Sequence, residues 1–132
     1  MNLIEPGDEV LIGVNGVFGG RMKAVVERCG GKAVVMEAPW GTVFTPDDLR
    51  AGIKRCSRPK IVALVHAETS TGAWQPIAEL SEIVHEAGAL FLVDAVTSLG
   101  GIELDVDGWS IDAIYSGSQK CLSCVPGISP VS

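Results

Sequence analysis

The sequence predicts an α/β fold in which a mostly parallel sheet has helices on both faces. Short, continuously apolar stretches alternate along the chain with stretches that carry apolar residues at helical spacing. Strands without polar alternation are buried on both faces, which is typical of a parallel sheet between two helical layers. Hydrophobic residues make up 47% of the 132 residues and charged residues 20%, which indicates a globular chain of one domain.

The first half of the chain is expected to contain three strands and two helices. Their predicted bounds are 10–14, 33–36 and 61–66 for the strands and 20–29 and 45–54 for the helices. The second helix has the clearest local signal, because Thr45 suits the N-cap and Pro46 the first helical position. Asp47 and Asp48 follow in its first turn, where acids are favourable.

The second half is expected to contain one helix and three strands. Pro76 opens the helix, and Gly88 ends it. Its apolar residues recur at helical spacing, at positions 77, 80, 83, 84 and 87. The strands are expected at 90–93, 113–115 and 128–131. The segment 99–112 has no helical period and should be irregular.

Two residues at the ends of neighbouring predicted strands indicate chemistry. Asp94 ends one strand, and Lys120 lies just past the strand at 113–115. Ligands of open α/β sheets bind at the carboxyl ends of the strands. A lysine amine and a carboxylate at that edge are what a pyridoxal phosphate (PLP) site needs: the amine bonds the aldehyde, and the acid pairs with the pyridine nitrogen. Either residue alone is more often an ordinary surface side chain, so the inference depends on the pair.

Other loops at the same edge leave alternatives open. The glycine-rich turn 13–20, with Glu37 after the next strand, resembles a dinucleotide-binding loop but lacks its full glycine pattern. Phe18 within it is either a core aromatic or a ring offered to a flat ligand. The hydroxyls of 69–71 could bind a phosphate or a phenolic oxygen, or form an ordinary turn. His66 is expected to be a core residue rather than a catalytic base.

Charge and cysteine content exclude several classes. A net charge of −6 argues against nucleic-acid binding, and no apolar run is long enough to span a bilayer. Four cysteines in a chain without a visible export signal are expected to be reduced thiols. Cys121 and Cys124 form a lone CxxC pair without a second ligand pair, so no metal site is predicted. With no targeting signal visible at the N-terminus, a cytoplasmic location is expected.

Six short motifs, in order, resemble one family. They are EPGD (5–8), NGVFG (15–19), ETSTG (68–72), VDAVTSLGG (93–101), SGSQK (116–120) and PG (126–127). These motifs identify the chain as similar to the class V PLP-dependent aminotransferases, which have the aspartate aminotransferase-type fold (fold type I). Within that branch it looks most like the alanine–glyoxylate and serine–pyruvate aminotransferases. The resemblance covers nearly the whole chain.

The resemblance assigns the two catalytic residues. Lys120 would be the Schiff-base lysine, which also moves the proton between the substrate and the cofactor. Asp94 would keep the pyridine nitrogen protonated, so that the ring accepts electrons. The implied reaction is transamination between a small amino acid (serine or alanine) and a 2-oxo acid (glyoxylate or pyruvate).

The resemblance also assigns the remaining cofactor contacts. Phe18 would stack on one face of the ring, and Val96 would pack on the other. Thr69 would bond the phenolic oxygen, and Gln119 the phosphate. A glutamine before the lysine also distinguishes this group from the related desulfurases.

Parts of the family's site have no counterpart here. The main phosphate loop would precede Met1, and the substrate arginine would lie in a C-terminal small domain. Residues 1–132 are therefore expected to be the central part of a large, PLP-binding domain from a homodimeric enzyme, with little activity alone. The alternatives are a nucleotide-binding α/β module and a non-catalytic remnant or assembly piece.

Overall fold

The computed structural model describes residues 3–132. Met1 and Asn2, at the start of the segment searched for a targeting signal, lie outside the described residues. The helices are α1 (Val17–Arg28), α2 (Pro46–Ile53) and α3 (Ser81–Glu86), the last preceded by a 3-10 turn at Ala78–Leu80. The strands are β1 (Glu9–Val14), β2 (Lys32–Glu37), β3 (Pro59–Val65), β4 (Ala67–Glu68), β5 (Ala73–Trp74), β6 (Leu90–Asp94) and β7 (Ala113–Tyr115).

Five strands form one parallel sheet, and this confirms the predicted fold class. The order across the sheet is β2-β1-β3-β6-β7, and every neighbouring pair is parallel. Strands β4 and β5 form a separate two-residue antiparallel hairpin. All five carboxyl ends of the parallel strands therefore lie at one edge of the sheet, where the predicted site residues meet.

The segment predicted as a sixth strand, 128–131, runs antiparallel beside β7. Tyr115 and Val131 form an isolated bridge, and the amide of Ile114 donates to the carbonyl of Ser132 at 2.8 Å. The predicted segment therefore lies beside the sheet, but it pairs with β7 through an isolated bridge instead of a regular ladder.

Apolar layers lie on both faces of the sheet. On one face, Leu11, Val62 and Phe91 pack with Leu49 of α2 and Val84 of α3. A second cluster lies against α1; its buried members are Val10, Ile12, Met22, Val26, Ile61, Ala63 and Val65. Residues of a central strand alternate between the two clusters, which is why these strands are apolar at every position.

The predicted ends of a helix agree with the structure where the residues that cap it are its neighbours in the sequence. Thr45 caps α2 as predicted, and its hydroxyl accepts from the amide of Asp48 while the Asp48 carboxylate accepts from the amide of Thr45. The helix expected after Pro76 starts as a 3-10 turn, continues as α3 and ends before Gly88, whose φ is +70°. Within the described part of the chain, no helix is long and apolar enough to cross a membrane.

Candidate active site

A cavity of about 840 Å³ lies along the face of the sheet that α1 packs against, and at one end it reaches the carboxyl ends of β6 and β7. Five of the six predicted cofactor residues line it: Phe18, Asp94, Val96, Gln119 and Lys120. The sequence places these residues in three separate segments; the parallel β6–β7 pairing brings two of them together, and α1 supplies Phe18. Thr69 is not among the lining residues.

Asp94 is a buried carboxylate without a cationic partner in the described part of the chain. It is the last residue of β6, and only 6% of its surface is exposed. Its Oδ1 accepts from the amide of Val96 at 2.9 Å, and its Oδ2 accepts from the hydroxyl of Tyr115 at 2.7 Å. Burial raises the pKa of Asp94, although both hydrogen bonds oppose the rise. A cationic group bound in the cavity would therefore favour the ionised form of this carboxylate.

The loop that carries Lys120 is held by two buried serines. The Ser116 hydroxyl donates to the carbonyl of Ala95 at 2.9 Å, which ties the loop to the end of β6. The Ser118 hydroxyl donates to the carbonyl of Val125 at 2.7 Å and closes the loop on itself. Lys120, half-buried at the cavity wall, is thus fixed relative to Asp94. The motif contains both serines, but their hydrogen-bond partners become visible only in the fold.

Glu68 holds the start of α1 and with it Phe18, a role that the sequence did not predict. This buried carboxylate accepts from the amides of Phe18 at 3.0 Å and Gly19 at 3.2 Å. The hydroxyl of Ser70 accepts from the amide of Val17 at 2.9 Å. Because this cap comes from another segment, α1 begins at Val17 and not near 20 as predicted. A carboxylate at a helix N-terminus also suits the helix dipole.

The same cap bears on the dinucleotide alternative. In a dinucleotide site the first amides of the helix bind phosphate. Here the amides of Val17, Phe18 and Gly19 are already bonded to Ser70 and Glu68. A phosphate in that place would also face the Glu68 carboxylate, so the geometry does not favour a nucleotide at this loop.

Thr69 and His66, which do not line the cavity, have different roles. The hydroxyl of Thr69 is hydrogen-bonded to that of Thr97, on the loop after β6. His66 is 1% exposed, and its Nε2 accepts from the indole of Trp74 at 3.2 Å. Burial lowers the pKa of His66, so the ring is a neutral core residue, as expected from the sequence.

Other candidate groups do not form a second site. Cys121 and Cys124 are exposed free thiols, and residues 3–132 contain no group of three or more metal-ligating side chains. A cavity of about 610 Å³ lies at the amino ends of the strands, where Lys60 pairs with Asp8 and Lys32 with Glu9. Those charges compensate one another, in contrast to Asp94.

The residues around the larger cavity fit PLP. A buried carboxylate without a cation matches a protonated pyridine nitrogen, and the Lys120 amine on the same wall matches an aldehyde. Phe18 and Val96 supply apolar surface for a flat ring. Gln119, which the resemblance assigns to the phosphate, is exposed at the wall of the same cavity.

Comparison with known proteins gives a consistent result. The chain is 47% identical over 131 residues to a (S)-ureidoglycine–glyoxylate transaminase of Bacillus subtilis, covering 99% of this chain and 31% of the relative. It is 41% identical to an alanine–glyoxylate aminotransferase of Rattus norvegicus, with the same coverage of each. The crystal structure of an alanine–glyoxylate aminotransferase from Nostoc sp. matches with a TM-score of 0.95 and 50% identity, over 99% of this chain and 34% of that one.

The chain thus spans about a third of the length of the relatives that it matches. Its fold is that of the fold type I PLP-dependent aminotransferases, as the resemblance implied. The model of the family described as "Aminotransferase class-V" matches residues 1–131. This chain therefore belongs to the class V aminotransferases, a PLP-dependent family.

Proposed function

We propose that this chain supplies the cofactor-binding centre of a PLP-dependent aminotransferase. The observation that carries the proposal is the buried Asp94 carboxylate, which lines the same cavity as Lys120 and forms no salt bridge with any residue of 3–132. Family membership supports the reaction class. The amino donor would be a small amino acid, alanine or serine, and the acceptor glyoxylate or pyruvate. Glyoxylate has particular support, because it stands in the names of the relatives given above.

PLP, when bound, supplies a ring that accepts the electrons released at the α-carbon of the amino acid. The Lys120 amine would hold the cofactor through its aldehyde carbon. The same amine would be the base that takes the α-proton of the substrate and returns it. The Asp94 carboxylate would keep the ring nitrogen protonated, which makes the ring a better electron acceptor.

Other apolar and polar side chains at the site would bind and orient the cofactor. Phe18 and Val96 would contact the ring and exclude water from it, and Gln119 would donate to the phosphate. Thr69 would bond the phenolic oxygen, with its hydroxyl already oriented by Thr97. We place residues 1–132 in the large domain of such an enzyme, which by family resemblance would act as a homodimer.

Trapping the cofactor tests the site directly. The chain is incubated with PLP, reduced with borohydride and digested, and the modified lysine is located by mass. Label should concentrate on Lys120 rather than on surface lysines such as Lys32 and Lys54. It should be lost in Asp94→Ala but kept in the matched control Asp107→Ala, because Asp107 is exposed and outside the cavity.

Two outcomes would count against the proposal. Label spread evenly over surface lysines would mean that no cofactor site forms in this chain. Label on Lys120 that is indifferent to Asp94→Ala would remove the carboxylate from the site. Alanine–glyoxylate turnover is a separate measurement, and little is expected from the 132-residue chain alone.

A further inference from the structure

Tyr115 is the closest described partner of Asp94 and belongs to the same cavity wall. The two residues are paired in register as the last residues of β7 and β6. The Tyr115 hydroxyl donates to Asp94 Oδ2 at 2.7 Å, and both side chains line the cavity. The sequence predicts that Tyr115 lies in a strand and indicates no role for it at the site.

The hydrogen bonds leave two lone-pair positions of the Asp94 carboxylate free for a further donor. Each carboxylate oxygen has two such positions, and each is occupied once, by Tyr115 or by the Val96 amide. The two donors reach different oxygens, one from β7 and one from the loop that follows Asp94. Rotation of the carboxylate would break both bonds, so its orientation in the cavity is fixed.

Tyr115 is suited to act as a permanent donor. Burial, followed by the neighbouring Asp94 charge, raises the pKa of the Tyr115 phenol far above its ordinary value, so it stays protonated. A hydrogen bond to the charged form of a carboxylate favours that form. Tyr115 therefore opposes the effect of burial, which on its own would favour a neutral Asp94.

We propose that Tyr115 is a positioning residue of the cofactor site, whose hydroxyl fixes and charge-stabilises the Asp94 carboxylate for pairing with a protonated pyridine nitrogen. This inference rests on the proposed PLP site and adds a residue to it. It differs from a purely structural role, in which the Tyr115 ring would only cover the face of β7. The hydroxyl, not the ring, is the functional part.

The test removes the hydroxyl and keeps the ring. PLP is titrated into the wild-type chain and into Tyr115→Phe, and the dissociation constant is read from the absorbance of the bound cofactor. Loss of a hydrogen bond to a charged group should weaken PLP binding roughly 10- to 100-fold. In the Asp94→Asn background the same change should weaken binding by less than about 3-fold, because the two effects act through one carboxylate. Thr42→Val is the control, since its hydroxyl bonds only the Pro39 carbonyl, away from the cavity.

A second measurement is independent of cofactor binding. Tyr115 is the single tyrosine of the chain, so fluorotyrosine incorporation labels this position alone. The fluorine resonance of the labelled, cofactor-free chain should shift on Asp94→Asn and stay unchanged in the Thr42→Val control. This readout applies even where Tyr115→Phe fails to fold.

The outcomes separate the inference from the proposed function. Wild-type chain that binds PLP at Lys120, with Tyr115→Phe binding within 2-fold of it, would overturn the role of Tyr115 and leave the cofactor site intact. An equal loss in the wild-type and Asp94→Asn backgrounds would also overturn it, since Tyr115 would then act without Asp94. A fluorine resonance that does not shift on Asp94→Asn would refute the contact between Tyr115 and Asp94. No PLP binding by the wild-type chain would end both proposals.

Discussion

Replacing Glu68 by alanine should destabilise this chain more than the loss of a strand-end acid normally would. Glu68 is the last residue of the short strand β4 and is 1% exposed. Its carboxylate accepts four hydrogen bonds: from the amides of Phe18, Gly19 and Ser70 and from the Ser70 hydroxyl. The substitution would leave the first turn of α1 without its cap and open a void beside Gly16, which packs against the Glu68 side chain.

The expected loss can be estimated from the donors that stay buried. Ser70 is exposed and can bond water instead, whereas Gly19 is buried and Phe18 half-buried. A buried amide left without a partner costs about 1–3 kcal/mol, and loss of an N-cap typically costs about 0.5–2 kcal/mol. Because these describe overlapping contacts, we expect the free energy of unfolding to fall by about 2–4 kcal/mol. At roughly 2–8 °C per kcal/mol for domains of this size range, the melting temperature should fall by about 10 °C.

Urea denaturation followed by circular dichroism measures this difference. Glu86→Ala is the matched control, because it removes the same charge from an exposed position at the end of α3. It should change the unfolding free energy by less than about 0.5 kcal/mol. Glu68→Gln should fall between the two, since the amide keeps one acceptor oxygen but turns an NH₂ group toward one pair of donors. A Glu68→Ala variant within 1 kcal/mol of wild type would refute the assignment of Glu68 as the cap of α1.

Three further predictions concern local groups. Thr45→Ala removes half of the capping box of α2 and should lower the unfolding free energy by about 0.5–2 kcal/mol, measurable by the same denaturation. Because burial lowers the pKa of His66, the folded state binds its proton less readily than the unfolded one. Stability should therefore decrease as pH falls below the unfolded value of about 6.5, by at most about 1.4 kcal/mol per pH unit, and His66→Gln should flatten that slope. Burial raises the pKa of Asp94, so its ionised form is disfavoured on folding; this cost grows as pH rises from the ordinary value toward the raised value and is fully present above it. Asp94→Asn should consequently raise the melting temperature of the cofactor-free chain at pH 7 while weakening PLP binding.

Sequence patterns predicted the fold well where the decisive contacts are local. The continuous apolar residues of β3 can only be buried on both faces, and the Thr45 capping box involves residues three apart. The same holds for Gly88, which ends its helix through its own backbone conformation. The start of α1 was placed too late because its cap, Glu68, lies about 50 residues further along the chain. No local pattern contains that contact.

The same contrast between local and long-range contacts applies to the candidate site. Motif resemblance identified Asp94, Lys120 and Phe18, and these line one cavity. It did not identify Tyr115 or Thr97, whose contacts with Asp94 and Thr69 span 21 and 28 residues of sequence. Those contacts depend on the β6–β7 register and on how two loops meet, neither of which is encoded in the spacing of a motif.

Two acids at the carboxyl edge of the sheet look alike in the sequence and have opposite physical roles. Glu68 is buried and accepts four hydrogen bonds, two of them from the first turn of α1. Its charge is therefore stabilised by the fold itself. Asp94 is buried with two donors and forms no salt bridge with a described residue, so its charge is available to a ligand. Neutralising the first should destabilise the chain, and neutralising the second should stabilise it at the expense of cofactor binding. The sign of the change in unfolding free energy therefore distinguishes Glu68, which stabilises the fold around the site, from Asp94, which is proposed to bind the cofactor.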